Sequence, residues 1–102
     1  MPGAPSIAFD RDPAKAEGNW RKHGVRFAEA MGVFLDALAL TLIDEDGRAE
    51  EERWITLGQT TTGSLHLVVH TWMELDHDRV AVRIISAKRP TRRKARQYRG
   101  IP

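Results

Sequence analysis

Residues 65–87 read LHLVVHTWMELDHDRVAVRIISA. Two largely apolar runs, 65–73 and 79–87, flank the polar link ELDHD. Their apolar side chains recur at every second position, which is the period of a strand and not of a helix. Leu65, Leu67, Val69 and Met73 share one face of the first run, and Val80, Val82 and Ile84 share one face of the second. So short a link makes the two strands antiparallel neighbours. The stretch predicts a sheet with one strongly apolar face for helices to cover. The alternate positions, His66, His70, Trp72 and Arg83, would line a mixed and partly open face.

Working outward, LALTLI (38–43) and ERWITLGQT (52–60) have the same strand character. The turn-rich DEDG and TTGS follow them, which completes a four-stranded meander. Upstream, Asp12 is a ready N-cap with Pro13 at the first helical position, where its missing N–H costs nothing. The helix it starts runs to about Lys22-His23, and Gly24 supplies the left-handed stop. A second helix is expected over roughly 26–36, where Phe27, Ala30, Met31, Phe34 and Leu35 form one apolar stripe. Downstream, Pro90 interrupts the last strand, and Thr91 through Arg99 favours a short basic helix. The expected chain is α+β in the order ααββββα: two helices on a four-stranded antiparallel sheet, then a C-terminal helix. Residues 1–8 read as a flexible N-terminus and 9–100 as one domain.

The 102 residues are 41% apolar and 29% charged, enough for a single modest core. With no cysteine, disulfide and thiolate chemistry are excluded, and a reducing cytoplasm is the simplest compartment. MPGAPSIAFDRD does not read as a secretory signal, and no apolar run approaches the length of a membrane span.

The net charge of +2 conceals a partition. All 14 acidic residues and seven basic ones lie in residues 1–78. Residues 79–102 hold nine basic residues, seven of them arginine, and no acidic one. Arginine's planar fork suits phosphate, so the asymmetry points to a polyanionic partner. The alternative is internal pairing with the acidic loop DEDGRAEEE at 44–52, which gains little at a surface.

Nucleotide-binding loops are absent: there is no GxxxxGK[ST] and no GxGxxG. The four histidines show no HExxH-type spacing, and the acidic loop does not match a calcium loop, so no metal site and no cofactor are expected. What remains is a set of His, Arg, Lys and Tyr. That set suits cleavage of RNA through its own 2′-hydroxyl, which needs a base, positive charge on the pentacoordinate phosphate and an acid for the leaving oxygen. DNA lacks the nucleophile.

Three segments, RKHGVRFAEAMGVFLD (21–36), ERWITLGQT (52–60) and RIISAKRPTRRKARQY (83–98), together resemble the BrnT family of toxins from type II toxin–antitoxin pairs. The resemblance runs from about Phe9 to Tyr98. It implies a RelE-like fold and an endoribonuclease that arrests translation. It also implies a BrnA-like ribbon–helix–helix antitoxin in a 2:2 complex bound to operator DNA, and a bacterial cytoplasmic setting. A catalytically weak module acting mainly as corepressor is the alternative. Carried over residue by residue, it points to His23, Lys22, Arg53, Arg89, Lys88 and Tyr98 as catalytic, with Arg53 and Arg89 on the scissile phosphate. Arg92, Arg93, Arg96 and Arg83 would hold the RNA backbone. From the residues alone, His23 could equally cap a helix, Arg53 pair across strands and Tyr98 pack the last helix. The chain departs from the family text at Lys88 (usually Arg), Lys94 (commonly Glu), Glu50 (commonly Gly) and Ala37 (commonly Pro).

Overall fold

The computed structural model describes residues 6–10, 12–45 and 52–100. The elements run β1 (Ser6–Asp10), α1 (Pro13–His23), α2 (Phe27–Ala30), a 3₁₀ turn (Met31–Leu35), β2 (Leu40–Ile43), β3 (Trp54–Gln59), β4 (Leu65–His70), β5 (Met73–Asp76), β6 (Arg79–Lys88) and α3 (Arg92–Arg99). The class is α+β. Glu50, most of the acidic loop (46–51) and residues 1–5 lie outside the described residues.

The sheet is mixed and six-stranded, in the order β1-β6-β4-β3-β2 with β5 also on β6, where four antiparallel strands were expected. Both extra strands are written on β6. The first, β1, lies parallel to it with Ile7 opposite Val80 and Phe9 opposite Val82. Ser6–Ala8, expected to be irregular, therefore form ladder. Nothing local signals this, because the partner lies some seventy residues away and parallel pairing needs no turn. The second extra strand, β5, takes Met73 from the end of the run 65–73 and Glu74–Asp76 from what was expected to be the polar link. The chain breaks after His70, where Thr71 N–H donates to the Arg83 carbonyl at 3.0 Å, and resumes at Met73. Bulges between Val69 and His70 and between Glu74 and Asp76 let this broken strand follow the ten residues of β6.

The helix-covered face carries Ile84 and Ala87 of β6 together with Val68 of β4. They pack under Val25, Ala30 and Val33, with Phe9, Phe27, Met31 and Phe34 around them. On β4 the register reverses the expected sidedness. His66, Val68 and His70 are buried, whereas Leu65, Leu67 and Val69 are only half-buried on the other face. Alternation alone cannot say which face of an apolar strand is covered. Both histidines are tolerated inside because each makes a hydrogen bond there.

The second helix is shorter than its stripe suggested. After Ala30 the chain tightens to 3₁₀, and three residues per turn instead of 3.6 rotate the following side chains. Val33 is thereby fully buried while Leu35 is 80% exposed. Val33 meets β3 at Gly58, where a Cβ would stand 2.9 Å from the Val33 Cβ and 3.1 Å from its carbonyl oxygen. Only glycine permits that approach.

Caps behave as the sequence implies. Asp12 accepts from Ala14 and Lys15 N–H, and Gly24 adopts φ 67° with its N–H on the Trp20 carbonyl. One turn before that stop, Asn19 is buried. Its Nδ2 donates to the carbonyls of Val25 (2.9 Å) and Ala87 (2.8 Å), and its Oδ1 accepts from Ala87 N–H at 2.9 Å. One amide thus ties α1, the loop after it and the end of β6. Asn19→Ala would leave three buried backbone groups unpaired, at a cost of roughly 3 kcal/mol. A thermal melt should show a Tm lower by about 10 °C or more. A shift within a few degrees would mean water replaces the amide.

Candidate ribonuclease site

The C-terminal basic stretch is anchored structure. Lys88 is still in the β6 ladder opposite Leu67. Thr91 then caps α3, its Oγ1 accepting from Lys94 N–H at 3.2 Å. Arg92, Arg93, Lys94, Arg96 and Arg99 are exposed along this helix, while Ala95 and Tyr98 are half-buried. Tyr98 donates its hydroxyl proton to Asp36 Oδ2 at 2.5 Å, and the same oxygen accepts Gln59 N–H at 2.8 Å. Burial pushes the Asp36 carboxyl up, but the bonds from Tyr98, Gln59 and Leu38 outweigh it and hold its pKa below the ordinary carboxylate value. The same bond, with burial and the Asp36 charge, raises the Tyr98 phenol. Tyr98 therefore struts α3 onto the loop before β2, the packing role open to it from sequence.

Between the end of α1, the start of β4 and α3 lies a mouth of about 300 Å³. Glu29, Ser64, His66, Arg89 and Arg99 line it. His66 is 2% exposed, and its Nε2 lies 3.1 Å from Glu29 Oε1. An ionised carboxylate can only accept, so Nε2 carries the proton and donates. Glu29 is itself 44% exposed at the side chain and faces solvent from a fixed position. The His66 Nδ1 is buried without a hydrogen-bond partner. Gly24 lines the same mouth, so Lys22 and His23, the residues just before it, stand at its rim. The left-handed stop belongs to Gly24, whose own N–H closes the helix.

Arg53 and Arg83 are elsewhere. Trp54 pairs with His70 and His70 with Ile84, so Arg53 and Arg83 flank the far end of the sheet. Five residues of β6 separate Arg83 from Lys88, about 16 Å along the strand. The structure brings Lys22, His23, Lys88, Arg89 and α3 together at one end and sets Arg53 with Arg83 at the other. Arg53 and Arg89 thus sit at different ends of the sheet. Glu29 and His66 were not among the residues expected from sequence. No signal short of the fold joins them, since 37 residues separate them and each looked like a component of its own element.

At the Arg53 end, a polar chain crosses the covered face. His70 Nδ1 is 2.9 Å from the Thr71 carbonyl, which can only accept, so Nδ1 carries the proton. Nε2 then accepts from the Thr56 hydroxyl at 2.7 Å, and Thr56 in turn accepts from Thr41 at 2.9 Å. Burial depresses the His70 pKa, opposed by its bond to Thr71, so the ring stays neutral. Among the described residues, the acidic and histidine side chains close enough to share a metal ion are Asp76, His77 and Asp78, all exposed at the β5–β6 turn. Asp76 there is already bound to Arg79 at 2.7 Å.

The profile of the family described as ribonuclease toxin, BrnT, of type II toxin–antitoxin system matches residues 12–94. The chain belongs to that family. The match spans α1 through β6 and stops within α3, leaving β1 outside it. No curated protein matches the chain. Among the described residues, no helix is long and apolar enough to cross a membrane.

The sign of the His70 shift gives a pH dependence. A histidine whose folded pKa lies below the ordinary 6.5 stabilises the fold above that value, and the contribution is lost as pH falls below it. The Tm of the wild type should therefore drop between pH 7 and pH 5. In His70→Gln, which keeps a polar partner for Thr56 but cannot titrate, the drop should be smaller over the same range. Equal slopes would show that His70 takes up its proton as readily in the fold as in the unfolded chain.

Proposed function

We propose that this BrnT-family chain is the toxin of a type II toxin–antitoxin pair and cleaves RNA without a metal at the mouth between α1, β4 and α3. The observation that carries the reading is the Glu29–His66 pair placed in one cavity with Arg89 and Arg99. Arginines outnumber carboxylates in that mouth, which favours a phosphate over a divalent cation. His66 is a positioning residue that holds the Glu29 carboxylate. Glu29 takes the proton from the 2′-hydroxyl as that oxygen attacks phosphorus. Arg89 and Arg99 carry the charge of the pentacoordinate phosphate. The P–O5′ bond breaks, and His23 serves as the acid that delivers a proton to the leaving oxygen. The products are a 2′,3′-cyclic phosphate and a 5′-hydroxyl. Lys22, Lys88, Arg92, Arg93 and Arg96 hold flanking phosphates, and Arg53 with Arg83 bind the chain further along.

The partner would be a BrnA-like ribbon–helix–helix antitoxin, two copies of each chain forming the operator-bound complex in the bacterial cytoplasm. Leu35, Leu38 and Leu42 are 80%, 74% and 70% exposed, which provides apolar area for a protein partner.

Purified toxin should cut single-stranded RNA in EDTA, with cyclic phosphate ends, and leave the matching DNA intact. Glu29→Gln should lower the rate roughly 10²–10⁴-fold with little change in RNA affinity. Arg92→Ala with Arg93→Ala should flatten the log-affinity against log-salt slope by about 1–2 units. An unaltered cleavage rate in Glu29→Gln would remove the mouth as the reacting centre. Binding of RNA or operator DNA without any cleavage would favour the corepressor reading, for which the cation at Lys94 is the sequence feature.

A further inference from the structure

The far end of the sheet holds a second cavity, also of about 300 Å³, lined by Phe34, Thr41, Trp54, Thr56, His70 and Trp72. Its chemistry is the opposite of that at the first. No charged side chain lines it, and four of its six residues are planar rings. Phe34 meets His70 edge-on at 4.8 Å, and His70 meets Trp72 at 6.4 Å, so the walls are braced against each other. Trp72 is 40% exposed and leaves one side open. The volume lies at the lower limit for small-molecule pockets, which suits one ring system and not a helix or a strand.

The polar chain that ends in this cavity has a direction. The Thr71 carbonyl fixes the His70 proton on Nδ1, His70 takes the proton of Thr56, and Thr56 takes that of Thr41. Thr41 Oγ1 has thereby spent its only proton and offers lone pairs alone. A ligand group that meets it in the cavity must donate a proton, and an amino group, with two protons to give, suits it.

We propose that this cavity is a nucleobase subsite, where one unstacked base of the RNA lies against Trp54 and Trp72 and donates an exocyclic amino proton to Thr41. The proposal rests on the ribonuclease reading for its biological ligand. Adenine, cytosine and guanine carry such an amino group, and uracil does not. RNA is favoured over an antitoxin side chain because Arg53 immediately precedes Trp54 and lies at the same end of β3. Its Nε is buried with no hydrogen-bond partner. By strand alternation Arg53 faces away from the cavity, so a nucleotide draped over the end of β3 meets rings on one side and a guanidinium on the other. Recognition of single-stranded RNA by aromatic stacking with base-edge hydrogen bonds has the same two parts. A base held here fixes which nucleotide lies upstream or downstream of the one cut at the far mouth.

The test reads the indole N–H resonances of the full chain by NMR while free nucleosides are added, with Trp20 as the internal control, since it lies under Arg26 at 4.2 Å. Adenosine and cytidine should shift the Trp54 and Trp72 signals saturably and leave Trp20 unmoved. Uridine should bind more weakly. Trp72→Ala should weaken binding of a short single-stranded RNA about 10-fold, as loss of one base–aromatic stack does. Thr41→Val should abolish the preference over uridine while the fold is retained. Indole signals that stay still with every nucleoside, in a protein that cuts RNA, would overturn the subsite and leave the nuclease reading intact. Saturable shifts without RNA cleavage would support the subsite and count against the nuclease. Signals that move only on addition of an antitoxin peptide would overturn it in favour of a protein contact.

Discussion

Everything at the basic end depends on the side chain of Asn19. An amide inside a protein must satisfy both its donor and its acceptor, and here the obligation is met by backbone from two distant places. The bond to Val25 sets the direction in which the chain leaves α1. The pair of bonds to Ala87 holds the end of β6 as another strand would. Because Lys88 and Arg89 follow directly, the basic end inherits its position from a neutral side chain. Gly24 completes the arrangement by turning the chain at once, so that Glu29 can reach His66 from the next helix.

The sheet is organised around β6, which alone among the described strands pairs with three others. Its first half lies between β1 and β5, and its second half pairs with β4. This explains what was legible in the sequence and what was not. Strand periods, the Asp12 cap, the Gly24 stop and the Thr91–Arg99 helix depend on neighbours in the chain, and each could be read directly. Parallel pairing of Ser6–Asp10 depends on a partner that local pattern does not reveal. The sidedness of β4 was misread for a related reason. Leu65, Leu67 and Val69 look like core, but His66 and His70 find hydrogen-bond partners in Glu29, Thr56 and Thr71. A satisfied histidine packs as well as a leucine, and hydropathy alone does not register the satisfaction.

The candidate site was legible by charge and illegible by geometry. Nine cations after residue 78 marked the polyanion-binding end, and the fold gathers most of them there. Family text placed Arg53 among them, yet the register of β3 against β4 sets it at the other end of the sheet. The carboxylate at the mouth lies in the helix expected over 26–36, where Glu29 falls between Phe27 and Ala30 of the apolar stripe and nothing in the sequence singles it out.

This separation has a consequence for substrate choice. A site built only from the mouth would bind any phosphodiester, since arginine on phosphate carries no sequence information. Information must come from contacts to bases, and the one aromatic side chain of α3, Tyr98, has its hydroxyl committed to Asp36. The rings that could read a base are at the Arg53 end, against a hydroxyl network whose polarity one carbonyl fixes. Cleavage and selection would then lie at opposite ends of the same strands, held at a constant distance by β4 and β6. Single-stranded RNA long enough to touch both ends would be selected over a dinucleotide, because only the longer chain couples the stacking energy of one end to the chemistry of the other.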